Sequence, residues 1–242
     1  MKDRCYIFGA GEYRGIEISE KLHGLIIAAD GGFLFLQKKG IMPDLLVGDF
    51  DSFEEYDEEN GKPGTDMLSE ECILRHPPEK DDNDMMLAVK EGMKRGCKEF
   101  FIYGGLGGRL DHTIANIQTL QYIAGQGLRG YLVGGKETIT VICDDCLIIP
   151  EEKQKNSRYL SVFCLGDQAK GVTLRNLKYV VEDATLTKEF PLGVSNEFTG
   201  KTAEICMEKG SLLVIWKKDE LVKMTANFRL KPIFFSIFTS NA

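Results

Sequence analysis

Two acidic groups in this chain have the residue types and spacing to hold a cation. The first closes Leu45-Leu46-Val47-Gly48-Asp49-Phe50-Asp51-Ser52, an apolar run that reads as a buried strand ending in two carboxylates. Side chains alternate along a strand, so Asp49 and Asp51 share one side and Phe50 takes the other. They lie about 7 Å apart by strand rise, which suits one hard divalent ion. A solvated acidic turn is the competing reading of the same residues. The second group is Lys80-Asp81-Asp82-Asn83-Asp84, at the predicted start of a helix. Asp81 and Asp84 are three apart and share a helical face. Capping the helix explains one of these carboxylates. Three of them crowded beside Lys80 point to a cation or a ligand.

The most specific stretch is Gly104-Gly105-Leu106-Gly107-Gly108-Arg109-Leu110-Asp111-His112, with four glycines in five positions between a predicted strand and a predicted helix. Glycines let phosphate oxygens approach backbone N–H groups, and a helix N-terminus adds a favourable field. Arg109 offers a planar fork to phosphate or carboxylate. Asp111 is a metal ligand or a cap, and His112 is read as structural rather than as a base. No Gly-x-x-x-x-Gly-Lys-Ser/Thr occurs, so this is not a P-loop. Asp30-Gly31-Gly32 puts another carboxylate at a strand end beside glycines, where a ligand can come close. Gly9-Ala10-Gly11 is a weaker signal. It lacks the third glycine of a dinucleotide fingerprint and fits a tight turn equally well. Ser195-Asn196 sits among apolar residues; it lines a pocket or, on composition, forms a turn.

These residues need a scaffold, and the first half supplies one. Strands are expected at 4–8, 25–29, 44–48, 71–75, 99–103 and 128–133. Helices are expected from Glu12 to Leu22, Phe33 to Lys39, Met85 to about Arg95 and Thr113 to Ala124. Alternating strands and helices predict a parallel sheet covered on both faces, with ligands beyond the carboxyl ends of the strands. Every group above but Ser195-Asn196 and the 80–84 cluster follows a strand. After Gly134-Gly135 only short strand-like runs remain, at 138–142, 159–164, 171–174, 180–186, 202–207 and 212–216, which predict a sandwich or barrel. The expected organisation is an α/β domain over 1–135, an all-β domain over 136–225 and an unassigned tail over 226–242.

The chain has 242 residues, 43% of them hydrophobic, and a net charge of −7. An acidic chain without a basic tract is a poor partner for nucleic acid or a membrane surface. No apolar run approaches the roughly 18 residues of a membrane span. The N-terminal residues lack a secretory pattern. Seven cysteines at irregular spacing do not read as a disulfide framework, and the lone pair Cys143-x-x-Cys146 has no second pair to make a zinc site. These features predict a cytoplasmic location.

Taken in order, Ala29-Asp30-Gly31-Gly32, Pro43-Asp44 through Ser52, Lys80 through Asp84 and Gly104 through His112 resemble the thiamin pyrophosphokinase family, and Ser195-Asn196 resembles its short thiamin-contacting motif. The resemblance spans about residues 4 to 216. It implies a three-layer, Rossmann-like parallel-sheet domain followed by an all-β sandwich or barrel, in a homodimer with sites at the subunit interface. The implied reaction is Mg²⁺-dependent transfer of the pyrophosphoryl group of ATP to thiamin, giving thiamin diphosphate and AMP. Carried over, Asp49, Asp51 and Asp84 hold Mg²⁺, and with Arg109 and Asp111 they form the catalytic set. Asp30, Gly31, Lys80, Asp81, Gly107, Gly108, Arg109 and His112 meet ATP. Asp51, Asn83, Asp84, Ser195 and Asn196 meet thiamin, the last two from the other subunit. The family commonly has threonine where Asn83 stands. Some members stack a tryptophan on thiamin from a late strand; here that position aligns nearer Val214 than Trp216. Two alternatives remain at this stage: a pyrophosphokinase for another heterocyclic alcohol such as a pterin, and a non-catalytic thiamin or nucleotide sensor.

Overall fold

Short runs rich in apolar and β-branched residues, buried on both faces, build the centre of the molecule. The computed structural model describes residues 3–18, 22–48, 68–75, 83–151 and 159–217. Six strands lie parallel: β1 (Arg4–Phe8), β2 (Leu25–Ala29), β3 (Leu45–Gly48), β4 (Ile73–Arg75), β5 (Glu99–Tyr103) and β6 (Arg129–Val133), in the order β6-β5-β1-β2-β3-β4. Between them come helices α1 (Gly32–Lys38), α2 (Asp84–Lys94) and α3 (Leu110–Gly125). Alternation along the strands decides what covers each face. Tyr6, Phe8, Phe101 and Tyr131 turn to one side with Phe33 and Leu36 of α1. Cys5, Ile7, Phe100 and Ile102 turn to the other with Ala88 and Val89 of α2 and Leu120 and Ile123 of α3. On the first face Tyr6, Phe101 and Tyr131 stack across three neighbouring strands at 5.4 Å per step. Each such aromatic pair adds about 0.5–1.5 kcal/mol beyond its buried area.

The sheet does not stop where the helices do. β7 (Glu137–Cys143) turns back antiparallel on β6, and β14 (Ser211–Lys217), β9 (Tyr159–Cys164) and β12 (Gly193–Glu197) extend it to ten strands. A second antiparallel sheet, ordered β11 (Val181–Thr187), β10 (Gln168–Arg175), β13 (Ala203–Cys206), β8 (Cys146–Ile149), lies over this extension. Leu147, Ile149, Val172, Leu174 and Ile205 meet Ile142, Leu160, Val162, Leu212, Val214 and Trp216 in one core. The fold is therefore a mixed sheet with parallel strands and helices, followed by an antiparallel sandwich. Residues 134–136 are a turn between β6 and β7, and the sheet runs unbroken past it. No helix among the described residues is long and apolar enough to cross a membrane.

Three expectations are corrected. Residues 12–18, expected to be helical, form a turn at 14–15 flanked by irregular chain. The N–H groups of Gly11 and Glu12 donate to the carbonyls of Gly104 and Leu106, and the Tyr13 hydroxyl donates to the Gly9 carbonyl at 2.6 Å. Tyr13 also stacks on Phe35 of α1 at 3.6 Å, so tertiary partners override the helical spacing. The cysteines are not all thiols: Cys146 and Cys206 form a disulfide, because antiparallel β8 and β13 set them directly opposite. The other five form no disulfide. Finally, Ser195-Asn196 lies in a bulged edge strand, β12, rather than in a turn.

Candidate active site

A cleft of about 580 Å³ opens at the carboxyl ends of β1, β2 and β5. Here the strand order reverses, since β2 continues from β1 on one side and β5 flanks it on the other. Open α/β sheets bind ligands at such a point. Three segments wall the cleft: Gly9–Gly11 after β1, Ala29 and Asp30 at the end of β2, and Gly104, Gly105, Gly107 and Gly108 after β5. The N-termini of α2 and α3 complete it with Asn83 to Met85, Arg109, Asp111, His112, Ala115 and Asn116. Two helix N-termini beside one cleft make a favourable field for an anion.

The two glycine segments divide the work. The N–H groups of Gly9, Gly11 and Glu12 are spent on the carbonyls of Tyr103, Gly104 and Leu106, so this first loop is a brace rather than a phosphate cradle. Gly11 allows the close approach, since a Cβ there would lie 2.5 Å from the Gly104 carbonyl oxygen. The second loop is held from below by Asn116, buried on α3, whose amide donates to the Gly105 carbonyl at 2.8 Å.

At the mouth, Arg109 grips Asp111 with two hydrogen bonds of 3.1 and 2.6 Å, and Asp111 accepts a third from the His112 N–H. The guanidinium bond, more than the backbone bond, holds the Asp111 carboxyl below its ordinary range. Asp111 in turn raises Arg109. α3 starts without a side-chain cap, whereas Asn83 caps α2 by accepting from the Met86 N–H at 2.8 Å. Asp84 follows in the first turn of α2, where a negative charge is favoured. Asp30 has a left-handed backbone, φ +46°, and its N–H bonds to the Val47 carbonyl. Gly48, the last described residue before Asp49, lies against Asp30. Asp44 accepts from the Ile26 N–H at 2.8 Å and so aligns β3 on β2.

A model of the thiamin pyrophosphokinase catalytic domain matches residues 20–132, and one of the thiamin pyrophosphokinase vitamin B1 binding domain matches residues 146–212. The chain belongs to the thiamin pyrophosphokinase family. A thiamine pyrophosphokinase of Bacillus subtilis (strain 168) is 28% identical over 197 residues, covering 81% of this chain and 89% of its own. The crystal structure of thiamine pyrophosphokinase from Bacillus subtilis superposes with a TM-score of 0.78 at 26% identity, covering 89% of this chain and 99% of that one. A thiamin pyrophosphokinase family protein from Enterococcus faecalis gives 0.73 at 27% identity, with the same coverage.

Within this pyrophosphokinase-family chain the cleft brings together Asp30, Asn83, Asp84, Gly107, Gly108, Arg109, Asp111 and His112. Gly31 faces Ala10 instead. Asp49, Asp51, Lys80 and Asp81 lie outside the described residues. Among the described residues no three His, Cys, Asp or Glu gather as a metal site. Ser195 and Asn196 are not at this cleft: β12 is six strand positions from β1, roughly 29 Å at the usual spacing. The buried Asn196 amide is engaged there by the backbone of Tyr179, accepting at 2.9 Å and donating at 2.7 Å. Ser195 is exposed with φ +60°, a strained value for a residue with a Cβ. Asn116 and the bracing role of Gly9–Gly11 escaped the sequence reading. The available signal for Asn116 was one polar residue in the stripe that continues through Leu120 and Ile123.

Proposed function

We propose that the chain transfers the pyrophosphoryl group of ATP to the hydroxyethyl group of thiamin, yielding thiamin diphosphate and AMP. The observation that carries this reading is the pairing of an anion-favouring cleft, walled by Gly107, Gly108 and the uncapped start of α3 beside Arg109, with the acidic first turn of α2. Family membership supplies the acceptor.

In this reading residues 1–135 bind the nucleotide and residues 136–225 bind thiamin. The N-terminus of α3 and Arg109 take the polyphosphate, and Asp111 sets the Arg109 fork. His112, Gly107, Gly108, Asp30, Gly31, Lys80 and Asp81 complete the ATP contacts. The thiamin hydroxyl lies in line with the β-phosphorus, Asp84 or Asp51 accepts its proton, and AMP departs toward Arg109. Positioning and electrostatics carry such transfers, so no protein nucleophile is required. The carboxylate oxygens of Asp84 and Asp30 at the cleft are the hard donors that Mg²⁺ prefers. Asp84, with Asp49 and Asp51, would hold it. Bound there, it offsets the charge of the triphosphate.

Thiamin would be completed by Ser195 and Asn196 of a second copy, with Asn83 and Asp84 on this side. Two features support a homodimer. Tyr179, Val180, Phe190, Leu192 and Val194 are exposed around the β12 edge, and Leu110 and Ile114 are exposed beside Arg109. Exposed apolar groups of this kind mark interaction sites. We place the enzyme in the cytoplasm. Five cysteines outside any disulfide support this, and the Cys146–Cys206 disulfide is the feature that counts against it. Incubation with ATP, Mg²⁺ and thiamin tests the function. AMP with thiamin diphosphate is the expected product pair, ADP contradicts pyrophosphoryl transfer, and tight thiamin binding without product indicates a sensor.

A further inference from the structure

Tyr13 stands behind the cleft and takes no part in its lining. We propose that Tyr13 is a positioning residue for the transfer, a role that rests on reading this cleft as the phosphate site. Its hydroxyl closes the loop after β1 and so fixes the glycine segment after β5, where the phosphates are held.

The loop over residues 9–12 needs such a clasp. It belongs to no helix or strand, and Gly9 and Gly11 lose more conformational freedom on ordering than any other residue type would. The Tyr13 hydroxyl donates back across the loop to the Gly9 carbonyl at 2.6 Å. The Tyr13 ring is itself held. It lies on Phe35 of α1 with centroids 3.6 Å apart and planes 7° from parallel. Burial pushes its phenol up, so the hydroxyl keeps its proton, and its bond, at neutral pH.

Several parts of the cleft meet at this one bond. A Cβ on Gly104 would lie 2.6 Å from both of its oxygens, Tyr13 Oη and the Gly9 carbonyl, so the bond packs directly on the first residue of the glycine segment. The Gly11 and Glu12 N–H groups then tie the closed loop to the Gly104 and Leu106 carbonyls. Gly9 also lies against the Met85 side chain, next to Asp84 in the first turn of α2. Four rings run behind these contacts: Tyr13 on Phe35, Phe35 beside Phe8 at 6.2 Å, and Phe8 on Tyr103 at 5.0 Å. Phe8 and Tyr103 are the last residues of β1 and β5, so each glycine segment starts one residue beyond a ring of this row. α1, which carries Phe35, starts directly after Asp30 and Gly31. Loss of the hydroxyl therefore frees Gly9 and, through it, the glycine segment and the start of α2, while every group at the cleft wall stays in the chain.

Tyr13→Phe removes the hydroxyl and keeps the ring, whereas Tyr13→Leu removes both. Thr140→Val is the control: it deletes another hydroxyl-to-carbonyl bond of 2.6 Å, from Thr140 to Gly130, outside the cleft lining. Calorimetry with inorganic tripolyphosphate, thermal melts and steady-state kinetics compare the three variants with the parent. Both Tyr13 variants should bind tripolyphosphate about tenfold more weakly, the scale of one hydrogen bond lost. The KM for ATP should rise in step. The thermal midpoint should fall further for Tyr13→Leu than for Tyr13→Phe, although their affinities match. Thr140→Val should lower the midpoint and leave tripolyphosphate affinity and the KM for ATP within about twofold of the parent. Tripolyphosphate affinity within about twofold of the parent's in folded Tyr13→Phe overturns the proposal, as does an equal loss of affinity in Thr140→Val. No tripolyphosphate binding by the parent overturns it together with the phosphate reading. If the parent binds tripolyphosphate but forms no thiamin diphosphate, the transfer reading fails while the titrations still decide whether Tyr13 sets the phosphate site.

Discussion

The amide of Asn116 donates to the carbonyl of Gly105 at 2.8 Å, tying the second turn of α3 to the glycine segment that precedes it. The segment and the helix start thus move as one unit. Asn116→Ala leaves a buried carbonyl without its donor, at a cost of about 1–3 kcal/mol, and loosens the loop beside the phosphates. Urea unfolding should show that loss, and steady-state kinetics should show a raised KM for ATP with the KM for thiamin unchanged. Asn116→Asp should be worse for ATP than Asn116→Ala, because a carboxylate cannot donate to the carbonyl and adds a negative charge beside the cleft.

Asp84 stands in the first turn of α2 and at the cleft wall. Its helix-terminal role is worth only about 0.3–1 kcal/mol. Asp84→Asn should therefore fold with a near-parental urea midpoint and lose activity by about a hundredfold or more. Activity near the parent's at saturating Mg²⁺ would remove Asp84 from the catalytic set.

Arg109 and Asp111 are both exposed, so their pair adds little to stability. Its value lies in aiming the fork. Arg109→Lys keeps the charge but loses the two-pronged geometry. It should raise the KM for ATP about tenfold or more with no change in thermal midpoint. Since Arg109 lowers the Asp111 pKa, the ionised pair is complete above the ordinary carboxylate range and is lost only as pH falls through that lowered value. Between about pH 5 and pH 8 the pair contributes no slope to kcat/KM for ATP. A pH profile in which Asp111→Asn removed a limb from that interval would contradict this.

The Cys146–Cys206 disulfide closes a loop of sequence separation 60. The chain-entropy model assigns a loop of that size about 4 kcal/mol. Reduction or Cys206→Ser should lower the unfolding free energy drawn from urea melts by about 2–4 kcal/mol. In contrast, Cys5 is buried, and its hydrogen bond with Cys97 together with that burial pushes its thiol well above the ordinary range. Mass spectrometry after iodoacetamide treatment at pH 8 should find Cys72 alkylated and Cys5 untouched until denaturant is added.

The parallel half was legible because each strand is a short apolar run and its special residues, the 80–84 cluster aside, follow one. Asp30 could be placed at a strand end, and Arg109 and Asp111 on the stretch between a strand and a helix, by counting alone. The segment from Glu12 misled because its apolar spacing is helical, while its N–H groups and Tyr13 find partners near Leu106 and Phe35. β12 was hidden for a similar reason: Gly193 and Ser195 look like turn residues, and the bonds that hold Asn196 go to Tyr179, 17 residues away. The cavity of about 710 Å³ lined by Arg14 and Lys136 has no signature in the chain, because the two enter one lining only when β6 is laid beside β5 and β5 beside β1.

Following a label in the β-phosphorus of ATP tests the central claim most directly. With Mg²⁺ and thiamin, the label should leave the nucleotide completely and appear in thiamin diphosphate, with unlabelled AMP as the other product. Label retained in ADP, with a single phosphoryl group on thiamin, would contradict it.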